Sequence, residues 1–213
     1  MDRIRQKAFV ATMAALIGLE CASILLYRRP WTGRVTPLDW TGLVRGADIL
    51  LFFLLFKRLD VPLAAVGLRR FVRGAVTGLA VALILGSGFF LAVYSIRWLW
   101  GVDLRGFVNP GIRVRGPAPL MVLCLLGPFA EEIFFRGLCY TLIRAHTGVW
   151  ISVALSACLF GASHFLGSGA LGVVLVPVVG GVVLALLYEF TGSLFAPFVL
   201  HAVANFVLFS GII

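Results

Sequence analysis

Gly127-Pro128-Phe129-Ala130-Glu131-Glu132-Ile133-Phe134-Phe135-Arg136-Gly137 places two adjacent carboxylates and an arginine inside an otherwise apolar stretch. An ionisable side chain at the centre of a membrane helix costs about 2.5–3.5 kcal/mol on insertion scales, so such residues persist where they pair or work. Glu132 and Arg136 are four residues apart and can pair along one helix face, which in water returns only about 0.2–0.5 kcal/mol. Glu131 stands about 100° round the helix from Glu132 and should face a different neighbour. That neighbour has to come from elsewhere in the chain.

Composition agrees with a membrane setting. Of 213 residues, 61% are hydrophobic and the mean hydropathy is +1.06, whereas soluble domains are about 45–50% apolar. The net charge of +9 comes from basic residues at the ends of apolar runs. Membrane topology and contact with lipid headgroups place them there, so no nucleic-acid partner is expected. Cys21, Cys124, Cys139 and Cys158 all lie in apolar runs and no CxxC occurs. They read as small buried hydrophobes rather than as disulfides or ligands.

A span needs about 20 mainly apolar residues. The sequence predicts spans near 8–27, 38–56, 74–98, 118–144, 149–166, 170–190 and 194–212. The first reads as a retained helix rather than a cleaved leader. Arg45 and Asp48 interrupt the second, and Glu20 and Asp48 are expected to be structural pairs for arginines such as Arg45. The basic connector 57–73, with Gly67-Leu68-Arg69-Arg70, is expected to lie along the headgroups as a short amphipathic helix. The fourth span is longer than a bilayer requires and should tilt, kink or protrude. Pro128 is its kink site. The last connections are short, so spans four to seven should pack as antiparallel neighbours. Gly161, Gly180, Gly181, Ala202 and Ala204 would admit close approach.

The expected fold is therefore all-α, a polytopic membrane helical bundle of about seven transmembrane helices. It comprises N-terminal helices and basic loops over 1–117 and a helical core over 118–213, within one integral membrane domain. Arg3, Arg5, Lys7, Lys57, Arg58, Arg69, Arg70, Arg73 and Arg144 would collect on one side. Arg28, Arg29, Arg34, Arg97, Arg105, Arg113 and Arg115 would collect on the other. The excess favours a cytoplasmic N-terminus.

There are three histidines. His146 lies beside Arg144 at a span end and reads as interfacial, and Glu189 reads as a boundary residue. His164 closes Phe160-Gly161-Ala162-Ser163-His164 in the fifth span. His201 opens His201-Ala202-Val203-Ala204-Asn205 in the seventh, with Asn205 on the same face. Polar side chains within spans face the bundle interior or a water-filled cavity. We expect Glu131, His164, His201 and Asn205 to share one cavity. A carboxylate and an imidazole can bind a water and take its proton. A second imidazole and a carboxamide can donate to a developing oxyanion. These parts suit hydrolysis of an acyl bond without a serine or cysteine nucleophile. The plainer alternative is polar glue between helices, but interhelical hydrogen bonds average only about 0.6 kcal/mol, so glue rarely needs ionisable groups. Glu131, His164 and His201 also make a three-donor N/O set that zinc could take, a possibility that spacing leaves open.

Glu131-Glu132-x-x-x-Arg136, Phe160-x-x-x-His164 and His201-x-x-x-Asn205 resemble, in order and spacing, the three motifs of the CAAX protease and bacteriocin-processing family. That family includes type II CAAX prenyl endopeptidases and bacterial Abi-type proteins. The resemblance covers about 120–205 and implies a glutamate-type intramembrane endopeptidase on an all-helical bundle. Glu131 and His164 would activate the water, and His201 and Asn205 would form the oxyanion hole. Glu132, Arg136 and Phe160 would brace the site. It implies a membrane-anchored protein or peptide substrate within the lipid bilayer and no cofactor. A bound divalent metal such as zinc stays open, because the family was long described as metalloproteases. The short chain leads us to expect a prokaryotic member in the plasma (inner) membrane, so prenylated substrates are not implied. Other intramembrane protease chemistries fit badly. HExxH and GxGD are absent, and Leu166 stands before Gly167-Ser168-Gly169 where a rhomboid serine loop wants glycine. The competing expectations are a non-catalytic membrane protein, such as a bacteriocin-immunity factor or scaffold, and thirdly a small-ion or proton transporter.

Overall fold

The computed structural model describes residues 2–27, 36–102, 116–168 and 174–210, and over 165–168 the backbone alone. Within these lie seven helices: α1 Arg3–Tyr27, α2 Pro37–Arg58, α3 Phe71–Trp100, α4 Pro117–Arg144, α5 Val149–Ser168, α6 Leu175–Thr191 and α7 Phe195–Ser210. Three stretches, Arg3–Leu26, Leu63–Trp100 and Pro117–Arg144, are long and apolar enough to cross a membrane. The last three helices are shorter and apolar. The outer surface is that of an integral membrane protein: Trp98 is 85% exposed and Phe190 80%. Such large apolar surface is stable against lipid, not water.

α2 begins on a capping box. Asp39 N–H donates to Thr36 Oγ1 at 3.2 Å, Thr36 N–H donates to Asp39 Oδ2 at 3.0 Å, and Pro37 opens the helix. Further along it, Arg45 pairs with Glu20 of α1 and, at 3.1 Å, with Asp48. Those acidic residues thus have the arginine partner that the sequence required.

The connector between α2 and α3 departs from expectation. It is not an amphipathic helix on the headgroups but a single 3-10 turn, Leu63–Val66, docked on α4. Val66 is fully buried, and a Cβ on Gly137 would stand 3.2 Å from it. Packing against α4 outcompetes the headgroup surface for Val66. Gly67 then turns the chain at φ +77°, and its carbonyl accepts the Leu194 N–H at 2.7 Å. Only glycine takes that backbone conformation without steric cost.

Two seams of small residues close the bundle. On α5 and α6, Gly161 faces Val174 and Val178, and a Cβ on Gly181 would sit 3.0 Å from Ala157 Cα. Gly180 faces open space and contributes nothing to this seam. On α3 and α7, Gly74 meets Ser193 and Gly78 meets Ala196 and Val199, a seam the sequence reading missed. Such packing, rather than burial from water, drives association in lipid. A larger aromatic core joins α1, α2, α4 and α6, with Phe9, Phe52 and Phe56 in mutual ring contact.

One end of the bundle is tied together by polar contacts. Gln6 meets His146 at 3.2 Å, Arg69 Nε donates to Gly192 O at 2.9 Å, and Arg144 Nε donates to Glu189 Oε1 at 3.2 Å. The start of α1, the basic connector and the ends of α4 and α6 therefore lie on one face. Of the basic residues expected to collect on the other side, Arg28, Arg29, Arg34, Arg105, Arg113 and Arg115 fall outside the described residues, as do 170–173 of the sixth expected span. Cys124 and Cys139 are buried as expected, but Cys21 and Cys158 are exposed on the apolar outer surface. Apolarity does not distinguish the two sides of a helix whose solvent is lipid.

Candidate active site

The site is built on α4, whose backbone is irregular. π-helical turns run over Val122–Leu126 and Ile133–Tyr140, flanking the ordinary turns of Gly127–Glu132. Pro128 explains the first. Gly127 N–H donates to Val122 O, one residue further back than in an α-helix. The next nitrogen belongs to Pro128 and has no hydrogen. Leu123 O is thus left without a backbone donor. Asn205 Nδ2, from α7, fills that role at 2.8 Å. In the second π stretch, side-chain hydroxyls also bond backbone carbonyls. Ser156 Oγ donates to Phe135 O at 3.2 Å and Thr141 Oγ1 to Arg136 O at 3.1 Å. Such π segments recur at functional sites because they re-aim side chains.

Glu132 and Arg136 are both fully buried, with Nη1 to Oε1 at 3.0 Å. Arg136 Nη2 also donates to Gly181 O at 3.2 Å, and its guanidinium lies 4.5 Å above the centre of the Phe160 ring. Gly181 serves twice: its missing side chain admits α5, and its carbonyl receives the arginine. Glu132 Oε1 takes a second hydrogen bond, from His201 Nδ1 at 2.8 Å. His201 Nε2 in turn faces Glu131 Oε2 at 3.7 Å. Adjacent glutamates were expected to meet different neighbours. They meet the same imidazole, because its two nitrogens point in different directions and the two carboxylates reach one each. Glu131 keeps a side-chain exposure of 22% against 0% for Glu132. The inner carboxylate is committed to Arg136 and His201, and the outer one has an open side.

The Phe160 ring joins the remaining parts. Its centre lies 4.6 Å from that of His164 and 5.6 Å from that of His201. His164 Nδ1 contacts Phe160 O at 2.9 Å. A carbonyl only accepts, so Nδ1 donates its proton to Phe160 O. Asn205 is half-buried, and bonding to Leu123 O uses one of its two amide hydrogens. Contacts in the structure thus join Glu131, Glu132, Arg136, Phe160 and His201 directly, and His164 through the Phe160 ring. Asn205, one helical turn beyond His201, is anchored to α4. Two participants escaped sequence reading, the carbonyls of Leu123 and Gly181. The first had a legible signal in Pro128, five residues on.

The donor set was tested for a metal. Among the described residues, no three His, Cys, Asp or Glu side chains group closely enough to hold an ion. As placed, Glu131, His164 and His201 do not converge on one ion position.

Residues 114–207, which hold every side chain of this site, match the family model described as type II CAAX prenyl endopeptidase Rce1-like. Over these residues the chain is similar to that family. A relative from Bacillus subtilis (strain 168), the uncharacterized protein YpbD, is 33% identical over 105 residues, which are 48% of this chain and 50% of that protein. The chain thus spans about half the length of that relative. No solved structure matches. The matched residues coincide with α4 to α7, and α1 to α3 lie outside the match.

Proposed function

We propose that this protein is an intramembrane endopeptidase that hydrolyses a peptide bond of a membrane-anchored protein or peptide with an activated water. The observation that carries the reading is the His201 imidazole set between Glu131 and Glu132 inside an Rce1-like domain. Glu131 is the general base. It has an open side, whereas Glu132 is fully buried and held through Oε1 by Arg136 and His201. The Nε2 lone pair of His164 helps to hold the water. His201, with Nδ1–H fixed on Glu132, donates from Nε2 when that nitrogen also carries a proton, as an imidazolium between the two carboxylates, and Asn205 presents its second amide hydrogen. These two donors meet the oxyanion as the tetrahedral intermediate forms, where such groups have their largest effect. The proton that Glu131 takes from water passes to the leaving amine, so atoms and charge balance without a covalent acyl-enzyme. Within this reading, 118–213 forms the catalytic core and 1–117 the supporting helices. The likeness to a Bacillus protein supports a prokaryotic plasma membrane as its location.

A second reading has one observation in its favour: Asn205 and His201 are already hydrogen-bonded to Leu123 O and Glu132, as helix-joining residues would be. The protein would then be a non-catalytic membrane factor, for immunity to a peptide or as a scaffold. Comparing membrane-protein termini in cells that carry wild type or Glu131→Gln decides between the two. New termini that vanish in the variant support the protease. A biological effect that survives Glu131→Gln, with no change in termini, supports the non-catalytic factor.

A further inference from the structure

At the basic end of the bundle lies a cavity of about 230 Å³, between the Leu63–Val66 turn and the ends of α4 and α6. Arg69, Tyr140, Thr141, Arg144, Tyr188 and Glu189 line it, with Ala64 at its exposed rim. Tyr140 stands nine residues beyond Glu131 on α4, about 13 Å along the axis, so the cavity is separate from the candidate active site.

The hydrogen-bond inventory of its walls decides what fits. Both oxygens of Glu189 are occupied, Oε1 by Arg144 Nε at 3.2 Å and Oε2 by the Tyr140 hydroxyl at 2.8 Å. Arg144 Nη1 also donates to Thr147 O at 3.2 Å. The Thr141 hydroxyl donates to Arg136 O, so the Tyr188 hydroxyl proton goes to Thr141 Oγ1, 3.2 Å away. Arg69 is different. It pairs with no carboxylate among the described residues and donates Nε alone, to Gly192 O. Both terminal nitrogens of its guanidinium remain, in the forked geometry that suits phosphate oxygens. Glu189 neutralises Arg144, so the cavity carries the uncompensated charge of Arg69.

Its surroundings say where the phosphate comes from. Lys57, Arg58, Arg70 and Arg73 are exposed nearby on the connector and the start of α3, against one carboxylate there, Asp60. Phe71 and Val72 follow directly and are 61% and 71% exposed, on the apolar outer surface. The cavity therefore sits where the apolar belt meets the basic end, at headgroup depth, where basic residues attract an anionic leaflet. We infer that this cavity binds the phosphate of an anionic phospholipid, with the Arg69 guanidinium as its principal donor and the acyl chains on the adjoining apolar surface. A bound phosphate there ties α4, which carries Glu131 and Glu132, to α6, which carries Gly181. The inference stands whether or not the chain is a protease.

The test is native mass spectrometry of the full chain in detergent, titrated with phosphatidylglycerol or phosphatidylcholine. Phosphatidylglycerol should bind more tightly. Arg69→Gln should weaken it about tenfold. Ala64→Trp, which obstructs the cavity and removes no charge, should do the same. Arg73→Gln, outside the cavity, should change binding by less than about twofold. Millimolar inorganic phosphate should not displace the lipid. The inference is overturned if Arg73→Gln costs as much as Arg69→Gln, which marks diffuse attraction. It is also overturned if Ala64→Trp has no effect, or if inorganic phosphate displaces the lipid and so marks a free-anion site. Melting temperatures in lipid-free detergent confirm that each variant is folded before binding is compared.

Discussion

His201 Nδ1 donates to Glu132 Oε1 across 2.8 Å, and this hydrogen bond joins α7 to α4 at the fully buried Glu132–Arg136 pair. It fixes the imidazole plane and leaves Nε2 facing Glu131 at 3.7 Å. The inner glutamate thereby orients the group beside which the outer glutamate would act.

From this follows an expectation for stability. Glu132→Ala strands the Arg136 charge, and Arg136→Ala strands that of Glu132. Breaking a buried pair by removing one partner costs about 3–5 kcal/mol. Both variants should show sharply reduced folded yield and lower melting temperatures in detergent. The double variant Glu132→Gln/Arg136→Met should recover part of the loss, since no charge is then left buried. Single variants of normal stability but no activity would instead assign this pair to the chemistry.

Glu131→Gln should be a different kind of variant. Glu131 is partly exposed and has no arginine partner within hydrogen-bonding distance among the described residues, so the glutamine should fold with a near-normal melting temperature. It removes the base, so cleavage should fall below detection. Asn205→Ala removes one oxyanion donor and should lower the rate by about 10²–10³ without abolishing it. Rates against a substrate found by terminus mapping check the order. If Asn205→Ala proves the more severe, the role of Glu131 as base is wrong.

Pro128→Ala tests the link between the π turn and Asn205. The substitution restores a backbone N–H that can reach Leu123 O or Cys124 O and compete with Asn205 Nδ2. The added backbone hydrogen bond is worth about 0.5–1.5 kcal/mol, so stability should hold or rise while the rate falls. Asn205 would lose its anchor and with it the geometry of the donor. An unchanged rate together with a raised melting temperature would separate Asn205 positioning from the π turn.

Activity should also survive chelation. Among the described residues no three His, Cys, Asp or Glu side chains converge. Protein shown to be metal-free by elemental analysis should cleave at the rate of the untreated enzyme. Activity that tracks bound zinc and returns only on its addition would require Glu131, His164 and His201 to be reread as ligands.

Much was decided locally, in the sequence. Apolar length and charge placement are properties of consecutive residues, so an all-helical membrane bundle and its helix boundaries near Tyr27, Arg58, Trp100 and Arg144 were legible. So was the pairing of Glu132 with Arg136, which one helical turn dictates, and the need of Glu20 and Asp48 for an arginine. Tertiary structure alone decided what depends on the angle at which helices meet. Helical spacing put Glu131 and Glu132 on different faces, yet docking of α7 set one imidazole between them. The connector formed a 3-10 turn docked on α4 rather than an amphipathic helix because Gly137 offered Val66 a place to pack. Cys21 and Cys158 faced outward because a lipid-facing side chain and a core side chain can be equally apolar. Periodicity within a span fixes neighbours along a helix. It carries no information on which neighbouring helix meets which face, because lipid solvates all of its apolar faces alike.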